Sequence, residues 1–317
     1  MRAIDPWNMR LTALLMAGLL SACGGGHDTS PEGAVQPPAP STPVPVQPGS
    51  PTATGDTATD GFAWFNYRRA QVGLSTLSRN ARIDQAALGH STYLRLNNTV
   101  SHEQKVGNPG YTGQELKDRL AAAGYTLIGT RAYGEVISAA GDRSGFYHAE
   151  ELIAAIYHRF VIFEPLFREM GTGAATGNGN YTYFTADMAA NNGYGPGVGR
   201  GNVVTYPANN QTAVPVNFMS DSESPDPVPN LNEVGYPISV HADNTSRIVV
   251  NAFTVRPRGG ADLPTRLLSN AADTHTPESG AAIVPLTRLA AGTTYDVSFN
   301  GTVDGTAVTR TWSFTTR

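Results

Sequence analysis

At 317 residues the chain exceeds the roughly 100 to 200 residues of a typical domain, so two folded units plus some non-globular chain are expected. Charged residues make up only 15% and the formal net charge is −4, with no basic run, which excludes the electrostatic footprint of a nucleic-acid partner. Gly (34) and Pro (22) are abundant and concentrated in particular stretches, which read as linkers and turns.

The N-terminal stretch has the layout of an export signal. Met9-Arg10 gives a short charged start, 11–20 is apolar, and Leu20-Ser21-Ala22-Cys23 closes the run with small residues. An apolar run of about ten residues is half of what a membrane-spanning helix needs. Leu-Ser-Ala-Cys resembles a bacterial lipobox, which implies a signal peptide over 1–22 and acylation of Cys23. A lone Cys cannot make an internal disulfide, and lipidation accounts for it. The expected location is therefore an exported protein, either lipid-anchored to the cell envelope or extracellular, with the membrane as a partner. Gly24 in place of Asp points to the outer membrane. Residues 23–58 hold few bulky apolar side chains, cannot offset the entropy of ordering, and read as a Pro/Gly/Ser/Thr-rich tether.

From 59 the pattern turns periodic. Phe62, Phe65, Arg69 and Val72 recur at helical spacing, with Asp60 as N-cap and Gly73 as stop. A second helix carries Ile83, Ala87, Tyr93 or Leu94, and Leu96, and ends at Asn97-Asn98. A third spans 114–123 and is closed by Gly124. A strand is expected over 133–139, a fourth helix over 147–160, and a hairpin from 172–176 and 181–189. Helices around a small antiparallel sheet imply an α+β unit over 59–195. The Gly-rich stretch 191–200 lacks a Gly-Lys-Ser/Thr continuation and reads as a flexible edge. Residues 196–230 read as a linker. Alternating segments at 238–241, 248–255, 295–299 and 312–314 then predict an all-β sandwich over 231–317.

Four short signals carry the chemistry. They are Asn66-x-x-Arg69-x-x-x-Gly73-Leu74-x-x-Leu77, Ser101-His102, Gly134-Glu135, and His158-Arg159 followed by Glu169-Met170-Gly171. With His90, Thr112-Gly113, Arg119 and Ala123-Gly124-Tyr125, the series resembles the cysteine-free bacterial form of the CAP superfamily (cysteine-rich secretory proteins, antigen 5 and pathogenesis-related 1). That resemblance implies a three-layer α-β-α sandwich with a His/Glu cleft. Val136 stands where the family usually has Asn, and Leu152 where it usually has Trp. The segments 289–295 and 312–316 resemble bacterial immunoglobulin-like modules, which serve as spacers or adhesion units and offer a protein partner a surface.

Through the resemblance, His102 and Glu135 match the first His and Glu of the cleft, and His158 the His of the bacterial His-Arg pair. On one continuous fourth helix, Glu151 and His158 would share a face. The fourth cleft member is thus Glu151 by helical geometry or Glu169 by its motif. His90 reads as a packing histidine, and Arg69 and Arg159 as ion-pair or capping partners. Two imidazoles and two carboxylates suit Zn²⁺ or Ca²⁺. The leading expectation is a cleft that binds a divalent metal or a small ligand, lipids included. A hydrolase of peptide or envelope polymer, with Glu135 as base and His102 and His158 as metal ligands or proton carriers, is the alternative, and an adhesin working through the second domain is a third.

Overall fold

The structure, a computed structural model, describes Leu14–Leu15, Val44 and residues 47–317. Cys23, the signal peptide cleavage site and the proline-rich centre of the tether lie outside the described residues. Within the stretch read as tether, Gln47 is buried and accepts from Arg68 Nη1 at 2.9 Å, while most of residues 48–56 are exposed.

Helix α1 (Thr57–Gln71) starts one turn earlier than the sequence suggests, because Asp56 caps it by accepting from Thr59 N at 2.7 Å. Asp60 instead folds back on the Thr54 and Gly55 amides. The first sequence signal proves to be scaffolding. Asn66 exchanges two hydrogen bonds with the Leu77 main chain, and Arg69 donates to the carbonyls of Ser75, Ile162 and Glu164. Gly73 follows the helix at φ +81°, a conformation that favours glycine.

A short strand β1 (Ser78–Arg79) leads to α2 (Ala81–Asn97), and α3 (Leu116–Ala122) follows. The sheet is completed by β2 (Ala132–Ala140), β3 (Glu169–Thr176) and β4 (Thr182–Ala190), in the order β1-β3-β4-β2. Alternation puts Val136, Phe184 and Met170 against α1 and its neighbours, and Glu135, Asp187 and Gly171 toward α2. Gly171 and Gly173 let α2 press onto β3: a Cβ at either would stand 2.1 Å from the Asp84 or Leu88 nitrogen. With α4 (Gly145–Ala154) and α5 (Ile156–Ile162) on the α1 side, the unit is a three-layer α-β-α sandwich.

The single helix expected over 147–160 is two helices, broken at Ala155 (φ −68°, ψ 117°). The break is held from the second domain. The Glu223 carboxylate accepts from Ile156 N and Tyr157 N, both at 2.8 Å, and from His158 Nδ1 at 3.1 Å. Arg159 donates to the carbonyls of Ile153 (2.6 Å) and Pro237 (2.7 Å), with Tyr206 and Tyr236 stacked around its guanidinium.

The region read as linker over 196–230 belongs largely to the second unit. It supplies β5 (Val204–Tyr206), β6 (Gln211–Val214) and β7 (Asn217–Met219), the last paired with β8 (Glu233–Gly235). The remaining strands are β9 (Ile238–His241), β10 (Ile248–Pro257), β11 (Thr265–Ser269), β12 (Gly280–Pro285), β13 (Thr294–Val303) and β14 (Thr306–Thr316). They form sheets β11-β12-β9-β5 and β10-β13-β14-β6. The first strand thus crosses from one sheet to the other and ends parallel to the last, as in immunoglobulin-like sandwiches. Tyr295, at the start of β13, accepts from Ala290 N at 2.8 Å, a tyrosine corner. Polar residues between 196 and 230 hid these strands, which are short and irregular.

Phe163 packs on Tyr206 at 4.9 Å, and one apolar cluster runs through both units. Arg159→Met strips buried carbonyls of their donor and should destabilise the protein by about 3 kcal/mol. Urea unfolding followed by ¹⁹F-labelled Trp64 and Trp312 checks this, and both probes should report one shared transition.

Candidate functional site

The site is built around one buried carboxylate. Glu135 sits mid-strand in β2 with its side chain 3% exposed. Its Oε2 accepts from Arg119 Nη2 at 2.6 Å, and its Oε1 pairs with His102 Nδ1 at 2.8 Å. Arg119 projects from α3, and its other terminal nitrogen donates to the His102 carbonyl at 2.9 Å, so one guanidinium fixes both the carboxylate and the loop beside it. Burial alone would raise the Glu135 pKa, but Arg119 and the neighbouring imidazoles outweigh it and hold the carboxyl well below its ordinary 4.5.

His90 is wholly buried on α2 and works through the loop. Its Nε2 donates to the Ser101 carbonyl at 2.9 Å, and its Nδ1 accepts from Gln104 Nε2 at 2.9 Å. Gln104 in turn accepts from Thr112 N at 2.7 Å. Burial pushes the His90 pKa down to about 4, so the ring is neutral and its 3.9 Å approach to Glu135 is not an ion pair at neutral pH. It shapes the turn that presents His102, which is the partly exposed member of the group.

Sequence reasoning missed Asp187. It lies directly across from Glu135 in the β2–β4 ladder and is 1% exposed. Neither of its oxygens makes a hydrogen bond of normal geometry, and the nearby Arg119 Nε is also buried and unpaired among the described residues. Burial and then the Glu135 charge push its pKa well above the ordinary 3.8, so the two carboxyls divide into an ionised Glu135 and a protonated Asp187. An Asp inside an otherwise apolar strand is the signal that could have found it.

The structure brings together only His102 and Glu135 of the residues proposed from sequence. The helix break removes the geometric reason for pairing Glu151 with His158, and His158 is buried against Glu223 at the domain boundary. Glu151 is half-buried on α4, its pKa pushed up to about 7 by burial and by Glu150. Glu169 is two strands from Glu135 and accepts from Asn80 Nδ2 (2.7 Å) and the Tyr125 hydroxyl (2.6 Å). Among the described residues no three His, Cys, Asp or Glu side chains gather as a metal-ligand set. The residues therefore do not fit a Zn²⁺ or Ca²⁺ site: Glu135 is already engaged, and the Arg119 charge beside it opposes a second cation. Arg69 and Arg159 bind main-chain carbonyls and make no ion pair among the described residues.

The order of these landmarks can be compared with known proteins. The profile of the cysteine-rich secretory protein family, CAP, matches residues 62–188. These residues form a CAP domain. Among solved structures the chain is similar to a Bacillus anthracis extracellular protein containing an SCP domain, at 23% identity and a TM-score of 0.35. That match covers 42% of this chain and 39% of the other, so it spans well under half of the Bacillus protein. A second similarity, to an outer surface protein of Borrelia burgdorferi, has 11% identity and a TM-score of 0.35, over 41% of this chain and 89% of that one. No curated protein matches the chain. In the CAP domain, then, the Ser101-His102 and Gly134-Glu135 landmarks converge on one buried charge, and His158-Arg159 serves the contact with the β-sandwich.

Because the folded pKa of Asp187 lies above its unfolded value, the native state holds an extra proton as pH rises through 3.8. Stability is complete below that pH and falls toward the folded pKa. Asp187→Asn should flatten the decline that begins as pH rises above 3.8, leaving the part owed to other raised carboxyls such as Glu164. Glu135→Gln should cost about 3 kcal/mol by leaving Arg119 without its counter-charge. Urea midpoints across a pH series measure both.

Proposed function

We propose that the chain is an exported binding protein whose CAP domain recognises a small polar ligand, of the kind an envelope polymer offers, at the His102 edge without a resident metal. The observation that carries this reading is the engagement of Glu135 by His102 and Arg119. A carboxylate so used leaves no open set of ligands for an ion, but it fixes the imidazole in one orientation. The polar make-up of the group favours hydroxyl- or amide-bearing ligands over an acyl chain. Export and lipid anchoring rest on the apolar run before Cys23 and the lone thiol. Among the described residues no helix is long and apolar enough to cross a membrane.

One feature favours a hydrolytic second reading. A carboxylate-oriented His102 is the form of a general base, and protonated Asp187 stores a proton nearby. Ligand affinity and turnover separate the two. Titration of the full chain with soluble peptidoglycan fragments should show binding that weakens at least about tenfold in His102→Ala, a loss of about 1.4 kcal/mol. Product formation abolished by Glu135→Gln would instead support the hydrolase. Calorimetry with Zn²⁺ and Ca²⁺ should give no stoichiometric binding; a 1:1 isotherm lost in His102→Ala would overturn the metal-free reading. Fatty-acid labelling in the producing cell should disappear in Cys23→Ser.

A further inference from the structure

The sheet of the CAP domain has an edge that is covered for only part of its length. Strand β1 pairs with β3 at Glu169 and Met170 alone, and the chain then turns into α2. On that edge Met170 O accepts from Asn80 N at 3.1 Å, and Thr172 N donates to Asp84 Oδ1 at 2.8 Å. Strand periodicity places Ala174 and Thr176 next along the same edge. Their outward main-chain groups meet no partner among the described residues.

This open stretch is the floor of a groove of about 740 Å³, within the range of ligand pockets. One wall is the α2 face with Gln85 and Leu88, the latter 50% exposed; the other is the start of α1 at Thr57 and Ala58 with Arg143. Walls on both sides keep the edge of a second folded copy away and leave room for a single extended chain. The charges are uneven in what they have left to give. Asp56 is used in capping α1, and Asp84 binds Thr172 N and Arg79 Nε. The exposed Arg143 guanidinium makes no bond among the described residues.

We propose that this groove binds an extended peptide from another protein as an added strand on Ala174 and Thr176, with an acidic side chain of that peptide paired to Arg143. Main-chain hydrogen bonds would supply the affinity and alternate side chains the selectivity. One set of side chains would lie on Leu88, and the other would point to Arg143. The groove is separate from the His102 site and does not depend on it.

The test uses the full chain, ¹⁵N-labelled, with acetyl-Val-Glu-Val-Glu-Val-amide as probe and acetyl-Val-Lys-Val-Lys-Val-amide as control. The expected result is saturable shifts of the Ala174 and Thr176 amides with the glutamate peptide, at least tenfold weaker with the lysine peptide. Arg143→Glu should reverse the preference. Because Arg143 is exposed, that variant tests the charge without threatening the fold; Ala174→Pro, with its melting curve taken first, tests the strand. Absence of shifts at millimolar peptide, shifts centred at His102, or equal binding of both peptides would overturn the proposal. So would self-association in ultracentrifugation that perturbs the same edge without peptide, which would assign the groove to a second copy.

Discussion

The arrangement of the CAP domain follows from one constraint: an ionised carboxylate buried on the edge strand of a sheet must be given positive charge and hydrogen-bond donors. Glu135 receives them from two directions, Arg119 on α3 and His102 on the preceding loop. Arg119 reaches the carboxylate only if α3 packs as it does, and His102 only if the loop from 98 to 115 keeps its shape. The His90, Gln104 and Thr112 chain of hydrogen bonds supplies that shape. Asp187 follows from the same constraint, since a second negative charge beside Glu135 would undo the balance and the group keeps its proton instead. Three side chains that look separate in the sequence are thus consequences of one buried charge.

The second half of the family pattern serves a different end. His158 and Arg159 sit just after the break at Ala155, where the start of α5 exposes main-chain donors and the end of α4 exposes acceptors. Glu223 satisfies the donors and Arg159 the acceptors. Both bonding partners bridge to the β-sandwich, so the backbone irregularity in one unit is stabilised by the other. A buried carboxylate and a buried guanidinium would be costly in either unit alone.

The three-layer fold was legible because its helices and strands are strongly periodic and bounded by Asn98 and Gly124. His102 and Glu135 were legible as motif residues. Their partner Asp187 was not, because the ladder register that sets it opposite Glu135 is a long-range fact. The helix break was hidden too: 147–160 keeps helical apolar spacing through Ala155, and the carboxylate that holds it comes from Glu223. Glu169 matched a motif, but a glycine pattern required for α2 packing accounts for that motif equally well. The strands between 203 and 219 escaped notice because each is too short to show alternation.

The strand exchange in the β-sandwich bears on mechanics. β6 runs parallel to β14, held by Asn210 N to the Ser313 carbonyl at 2.7 Å and Arg317 N to the Val214 carbonyl at 3.0 Å. A pull applied between the CAP domain and residue 317 would draw these strands in opposite directions along their own axes. The ladder would then be loaded in shear, with its bonds strained together, and would not unzip one bond at a time. The β6–β14 pair therefore acts as a tension clamp, placed directly after β5, the first strand of the sandwich that force entering from the CAP domain would meet.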